Sequence, residues 1–231
     1  QAIAQMNPSI AHLSLPFFDA AHRDIAERLP AWAAAQDVDE HDDRAACRDW
    51  VRRMGADGWL RYCVAAEHGG ALPQLDSRAL VVLRETLAFY SPLADFAFAM
   101  QGLGSGAISL GGTPAQQAAY LPAVARGDKI AAFALSEPDA GSDVAAMKTR
   151  AACENQTSAG GQNHSESTDW KLTGTKTWIS NGGLADFYCV FAKTDRLAGS
   201  RGITAFIVDK GAPGLDDSAH IHVRRRIRWP R

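Results

Sequence analysis

The sequence predicts an α+β protein, in which an N-terminal all-α helical bundle over residues 1–127 precedes an incomplete antiparallel β domain over residues 128–231. Two observations predict this class. Apolar residues recur at helical spacing as far as Gly127, and beyond it the apolar runs become short and β-branched or aromatic. Helices and strands are therefore segregated along the chain, which is typical of α+β folds rather than of alternating βαβ units.

The helical part shows both periodicity and boundary signals. Apolar residues first recur at helical spacing from Phe17, and Pro30 is expected to kink or end that helix. Residues 77–90 are apolar on almost every side, which predicts the central helix of the bundle. The pair Thr113 and Pro114 has the pattern of a cap and a first helical turn. Helices are predicted near residues 17–30, 42–56, 77–90, 92–110 and 114–127.

Beyond Gly127, short apolar runs separated by turn-forming residues predict strands. The polar stretch 154–169 has little to bury and predicts a long mobile hairpin loop. From about residue 216 the chain becomes an atypical arginine-rich tail, which fits neither a strand nor the cover of a sheet edge, so a truncated or out-of-frame end is expected. The predicted strands are residues 129–136, 170–180, 187–193 and 202–209.

Composition excludes several classes of function. Five of the 24 basic residues lie in the last ten positions, so residues 1–221 carry 19 basic and 26 acidic side chains, which is unlike a nucleic-acid-binding body. Four scattered cysteines without a CxxC pattern argue against a metal site and favour a reducing compartment. No apolar run is long enough for a membrane span. We therefore expect a cytoplasmic location, or the mitochondrial matrix in a eukaryote.

The first chemically informative stretch is ALSEPDAGSDVAA, residues 134–146. It follows a predicted strand, and Pro138 prevents that strand from continuing. Gly141 and Ser142 then offer free N–H groups and a hydroxyl at the start of a predicted helical turn, which suits a phosphate. The alternative is that Ser142 or Asp143 simply caps that turn.

The second stretch is TGTKTWISNGGLADFY, residues 173–188. Alternating polar residues predict a strand, so Trp178 and Ser180 would lie on the same face of it. A flat ring beside a hydroxyl suits a planar heteroaromatic ligand. The alternative is a core tryptophan next to a turn serine.

Together, the two stretches resemble motifs of the acyl-CoA dehydrogenase family. Residues 134–146 match the family's first motif at every constrained position, and residues 178–182, WISNG, match its Trp-Ile-Thr/Ser-Asn-Gly segment. Residues 67–70, EHGG, and the strand at 202–209 are weaker similarities. The resemblance covers most of residues 16–215 and implies a flavoprotein that binds FAD between a helical and a β domain.

The resemblance also implies a role for individual residues. Ser136 would lie near the pyrimidine edge of the flavin, and Ser142 beside the pyrophosphate and the CoA-bearing substrate. Trp178 would cover a flank of the isoalloxazine, and Ser180 would bond near its reactive nitrogen and carbonyl. The implied FAD-binding residues are Phe133, Ala134, Leu135, Ser136, Gly141, Ser142, Trp178, Ile179 and Ser180, with Ser142 also binding substrate.

The implied reaction is the α,β-dehydrogenation of an acyl-CoA thioester in fatty-acid metabolism. A carboxylate removes the α proton, the β hydride passes to FAD, and an electron-transfer flavoprotein reoxidises the flavin. The family's catalytic glutamate and its tetramer or dimer core lie in a C-terminal helical domain beyond the matched region. No catalytic residue is therefore assigned in these 231 residues, Glu137 is expected only to support its turn, and the chain alone is expected to be inactive.

Two other functions stay open at this stage. One is a flavin oxidase or monooxygenase relative on the same fold, which reoxidation by oxygen rather than by an electron-transfer flavoprotein would distinguish. The other is a non-catalytic interaction protein that has kept the fold.

Overall fold

A computed structural model of the chain describes residues 8–153 and 170–218. These residues form five α-helices followed by one five-stranded sheet, so the predicted α+β class is confirmed. The helices are α1 (Ala20–Ala34), α2 (Asp43–Ala56), α3 (Ser77–Tyr90), α4 (Pro92–Gly111) and α5 (Pro114–Arg126). The strands are β1 (Ala131–Ala134), β2 (Arg150–Cys153), β3 (Trp170–Thr173), β4 (Phe187–Lys193) and β5 (Ile203–Asp209).

The helix boundaries follow local capping chemistry. The Ser91 and Thr113 side chains each cap a helix that begins with proline, and the cap at Thr113 is reciprocated by Gln116. At the other end of α5, Gly127 adopts a left-handed backbone with φ of 74°, which glycine allows without strain. Pro30 lies inside α1, which continues to Ala34, so of the two expected effects, a kink or an end, the helix end is excluded.

The central helix is α4 rather than α3, which corrects the expectation from the sequence. α3 leaves Val81 54% exposed, whereas α4 packs against α2, α3, α5 and β1. Small residues allow α4 to pack closely against β1. Any side chain at Gly104 would collide with Ala131 of β1, because an added Cβ would lie 2.6 Å from the Ala131 Cβ. The fully buried Gln101 also connects α4 to the β1 region. Its side-chain oxygen accepts a hydrogen bond from Ala131 N, and its side-chain nitrogen donates one to Lys129 O, both at 2.8 Å.

The sheet is mixed: the sequence predicted mostly antiparallel strands, and two of the pairings are parallel. β4 runs parallel to β1 over Ala131–Ala134, and parallel to β2 at one residue pair. The β4–β5 and β2–β3 pairs are antiparallel. The reason is the long connection between β1 and β4, which includes β2 and β3 and returns the chain to the sheet in the original direction.

Strand β3 is shorter than predicted: it ends at Thr173, whereas the sequence predicted a strand as far as residue 180. Gly174 lies directly against Thr149, whose Oγ1 would be 2.3 Å from an added Cβ, and the chain then leaves the sheet. The predicted loop at 154–169 and most of the arginine-rich tail lie outside the described residues. No helix in the described part of the chain is long and apolar enough to cross a membrane.

Candidate functional site

The first motif leaves the sheet through a tight turn. β1 ends at Ala134, and Glu137 and Ala140 then exchange backbone hydrogen bonds of 2.9 and 3.2 Å across Pro138 and Asp139. The turn folds the chain back over the end of β1 and buries the Glu137 side chain, which is only 5% exposed. A buried carboxylate must be hydrogen-bonded or neutralised to be tolerated.

Glu137 is fully engaged by three donors. Its carboxylate accepts hydrogen bonds from Lys148 N at 2.6 Å, from Thr149 N at 3.0 Å and from the Lys176 ammonium at 2.8 Å. Burial alone would raise the pKa of Glu137, but these hydrogen bonds outweigh it and lower the pKa to about 2. Glu137 therefore supports the turn, as the sequence indicates, and is a poor general base at neutral pH.

Stability should fall in acid because of Glu137. Its folded pKa lies below the ordinary value of 4.5, so protonation favours the unfolded chain. The contribution, about 3 kcal/mol by linkage, is present above pH 4.5 and is lost as the pH falls towards 2. Urea unfolding between pH 6 and pH 2.5 measures this, and Glu137→Gln should lack this part of the pH dependence. Parallel acid profiles for the two proteins would contradict the assignment.

The second motif meets the first through a backbone hydrogen bond. Thr177 N donates to Ser136 O at 2.9 Å, so Trp178 follows directly on a residue that contacts the first motif. Trp178 is 75% exposed and has a φ of +53°, which is unusual for a bulky residue and indicates local strain. The prediction that Trp178 and Ser180 share one face of a strand is wrong, because residues 174–183 form irregular chain and turns.

Asn181 anchors the turn that follows Ser180. The sequence indicates the turn itself but not the tertiary contacts of the Asn181 side chain. Its backbone is left-handed, with a φ of +63°, and its carbonyl accepts from Leu184 N and Ala185 N. Its side chain donates to Ala131 O at 3.0 Å and accepts from the Cys47 thiol at 3.4 Å. The Asn-Gly-Gly sequence signals a turn, but the partners on β1 and α2 are visible only in three dimensions.

The helical region also holds this turn. The Arg44 guanidinium of α2 donates to Gly182 O at 3.2 Å, and Gly183 N donates to the Tyr188 hydroxyl at 2.8 Å. The Tyr188 hydroxyl in turn donates to the Asp217 carboxylate. Contacts from α2 and β4 therefore fix the segment that carries Trp178 and Ser180.

Gly141 and Ser142 follow the turn of the first motif and are exposed. An added Cβ on Gly141 would meet no atom within 4 Å, so its backbone is open to a ligand. Asp143 caps the next segment by accepting from Ala145 N, which supports the capping alternative. That segment, Val144–Ala146, is a single 3-10 turn. The expected anion site therefore lacks the N-terminus of an α-helix, which would have attracted a phosphate.

The remaining predicted cofactor-binding residues are buried to different degrees, which decides whether a ligand could contact their side chains. Phe133 and Leu135 are half-buried, and the Phe133 ring packs on Phe191 with centroids 4.9 Å apart. Ala134 is 3% exposed, so only its backbone could contact a cofactor. Ile179 is half-buried and packs against the core.

The chemistry of this donor set fits a flavin. Ser136 and Ser180 are half-buried, Trp178 is exposed, and neither serine hydroxyl has a hydrogen-bond partner among residues 8–153 and 170–218. Two surface cavities of about 220 Å³ lie around α1, and neither is lined by these residues. In the described ranges, no cluster of His, Cys, Asp and Glu could hold a metal ion.

Comparison with known proteins gives consistent matches along the chain. Residues 17–128 match the model of the acyl-CoA dehydrogenase N-terminal domain, and residues 132–223 match that of the middle domain. The mitochondrial isovaleryl-CoA dehydrogenase of Pongo abelii is 36% identical over 188 residues, which are 80% of this chain and 41% of that protein. The chain thus spans less than half of this relative.

Two solved structures extend the comparison to the fold. An acyl-CoA dehydrogenase from Bacillus anthracis, solved in complex with FAD, has a TM-score of 0.70 and 29% identity, covering 93% of this chain and 35% of that one. The prolyl acyl carrier protein oxidase AnaB has a TM-score of 0.64 and 25% identity, covering 86% of this chain and 51% of that one.

Proposed function

Since the chain belongs to the acyl-CoA dehydrogenase family, we propose that it forms the flavin-binding part of an FAD-dependent enzyme that oxidises the α,β bond of an acyl-CoA thioester. One observation carries this proposal. Thr177 N donates a hydrogen bond to Ser136 O, so the residue that precedes the exposed Trp178 contacts the backbone of the first motif at Ser136.

The residues of this site would bind and orient the cofactor. The Trp178 ring would cover one flank of the flavin, while the Ser136 and Ser180 hydroxyls would hydrogen-bond to its polar edge. The open backbone at Gly141 and the Ser142 hydroxyl would contact the pyrophosphate, and Ser142 also the acyl-CoA. Bound FAD would supply the hydride acceptor for the reaction.

The base that removes the α proton is proposed to lie outside the described residues. An effective base has a pKa near the working pH, whereas the three donors on Glu137 hold its pKa at about 2. We therefore assign no catalytic residue here, and expect no flavin bleaching when the 231-residue chain receives FAD and saturated acyl-CoAs. Stoichiometric FAD with turnover would contradict this, and Glu137 would then be the first candidate base.

An FAD titration of the 231-residue chain, followed by flavin fluorescence and visible absorption, tests the proposed site. Ser180→Ala removes one hydroxyl that would bond to the flavin, worth about 1 kcal/mol net, so the Kd for FAD should rise about fivefold. The thermal unfolding midpoint should not change, because this hydroxyl has no partner in the described part of the chain. Ser200→Ala, at an exposed position outside the site, is the matched control. Equal FAD affinity in both variants, or no FAD binding by the unchanged chain, would contradict the proposal.

We further propose an electron-transfer flavoprotein as the acceptor, assembly as a homotetramer or homodimer, and a reducing compartment, either cytoplasm or mitochondrial matrix. Support for the compartment comes from Cys47, Cys63, Cys153 and Cys189, which are all free thiols. Support for an oxidase alternative comes from the similarity to AnaB. Reoxidation of the reduced protein by oxygen, compared with reoxidation by an electron-transfer flavoprotein, distinguishes these acceptors.

A further inference from the structure

We propose that Lys176 is a positioning residue, which holds residues 133–137 (the Ser136 segment) and residues 175–181 (the Trp178 segment) together through its pairing with Glu137. The inference rests on the proposed function, because it concerns the same flavin site. Lys176 lies in the second stretch, two residues before its WISNG segment, and its side chain is only 11% exposed.

Hydrogen bonds from Lys176 and its neighbour surround Ser136. The Lys176 ammonium donates to Leu135 O at 3.0 Å and to the Glu137 carboxylate at 2.8 Å. The next residue, Thr177, donates its N–H to Ser136 O at 2.9 Å. Leu135, Ser136 and Glu137, which are consecutive in the first motif, thus all accept hydrogen bonds from Lys176 and Thr177, which directly precede Trp178. These contacts hold the backbone on the N-terminal side of Trp178 against the backbone on both sides of Ser136.

The charge of Lys176 makes this connection strong. Glu137 and Lys176 are both largely buried, and a charge-assisted hydrogen bond is about twice as strong as a neutral one. Without the ammonium, Glu137 would keep only the two backbone donors from Lys148 and Thr149, neither of which lies in the Trp178 segment. Within residues 8–153 and 170–218, a single hydrogen bond, from Thr177 N to Ser136 O, would then join the two segments directly, and the strained backbone at Trp178 would be free to relax.

The variant Lys176→Met removes the ammonium, and Lys148→Met is its matched control. Lys148 pairs with Asp139 at 2.7 Å in the same region, but both side chains are more than 70% exposed. Hydrogen–deuterium exchange, read by mass spectrometry, should accelerate in residues 133–137 and 175–181 of Lys176→Met. The Kd for FAD should rise at least about tenfold, and the absorption band of bound FAD should shift. Lys148→Met should match the unchanged chain, and Lys176→Arg should largely restore it.

A double variant separates positioning from charge balance. Glu137→Gln combined with Lys176→Met leaves no unpaired buried charge, so it should stay folded even where Lys176→Met alone does not. Positioning by Lys176 predicts that this double variant still binds FAD at least about tenfold more weakly and exchanges faster in both segments. Exchange and FAD affinity equal to those of the unchanged chain would overturn the inference.

If the unchanged chain binds no FAD, the proposed function fails, and the exchange data alone decide the role of Lys176. Faster exchange in both segments of the double variant supports the inference in that case, and unchanged exchange overturns it. Exchange in α4 reports whether a variant has lost its fold as a whole.

Discussion

Replacing Glu137 with alanine is expected to lower the free energy of unfolding by about 3–5 kcal/mol. The substitution leaves the largely buried Lys176 ammonium without its carboxylate, and it leaves the N–H groups of Lys148 and Thr149 without their acceptors. Each buried donor without a partner costs the free energy of its desolvation. Urea unfolding at pH 7, followed by tryptophan fluorescence, measures the change.

Asp139→Ala is the matched control for this experiment. Asp139 lies two residues from Glu137 and also pairs with a lysine, but both partners in that pair are exposed. An exposed pair contributes about 0–1 kcal/mol, so Asp139→Ala should change the free energy of unfolding by less than about 1 kcal/mol. Similar losses in the two variants would show that burial of the Glu137–Lys176 pair is not what makes it strong.

Replacing Gly55 with alanine is expected to destabilise the chain by about 3 kcal/mol or more. The new Cβ would lie 2.1 Å from Arg126 O and 2.8 Å from the Gly127 Cα, at the point where α2 approaches the end of α5. These are backbone atoms, which cannot rotate away as a side chain can, so the two helices must separate. The same urea experiment measures the loss.

Gly106→Ala provides the comparison for Gly55→Ala. Gly106 lies inside α4, and an added Cβ would meet no atom within 4 Å. Alanine favours a helix over glycine by about 0.5–1 kcal/mol, so this variant should be more stable than the unchanged chain. A loss of stability in Gly106→Ala comparable to that in Gly55→Ala would mean that helix–helix contact is not the cause.

The helical region contributes to the candidate site as well as to stability. Arg44 and Cys47 on α2 contact Gly182 and Asn181, directly after the segment that carries Trp178 and Ser180. Asn181 then bonds to Ala131 O on β1. Changes on α2 can therefore alter the candidate site without changing any residue of the two motifs.

The sequence by itself determined the α+β class, the helices, and the stretches in which the candidate site lies. These features depend on local properties: helical spacing up to Gly127, proline after a capping residue, and short strands such as Phe187–Lys193. Such properties are encoded by residues close together in the chain, so they can be recognised without knowledge of the fold. The motif similarity located residues 134–146 and 178–182 for the same reason.

Only the tertiary structure decided how these elements combine. The direction of the β1–β4 pair depends on a connection of more than fifty residues, which leaves no local pattern. The polar alternation before Trp178 predicted a strand, but hydrogen bonds from Lys176 and Thr177 to the first motif replace the strand pairing there. Glu137 is the clearest case, because nothing near it in sequence identifies Lys176, 39 residues away, as the partner that its burial requires.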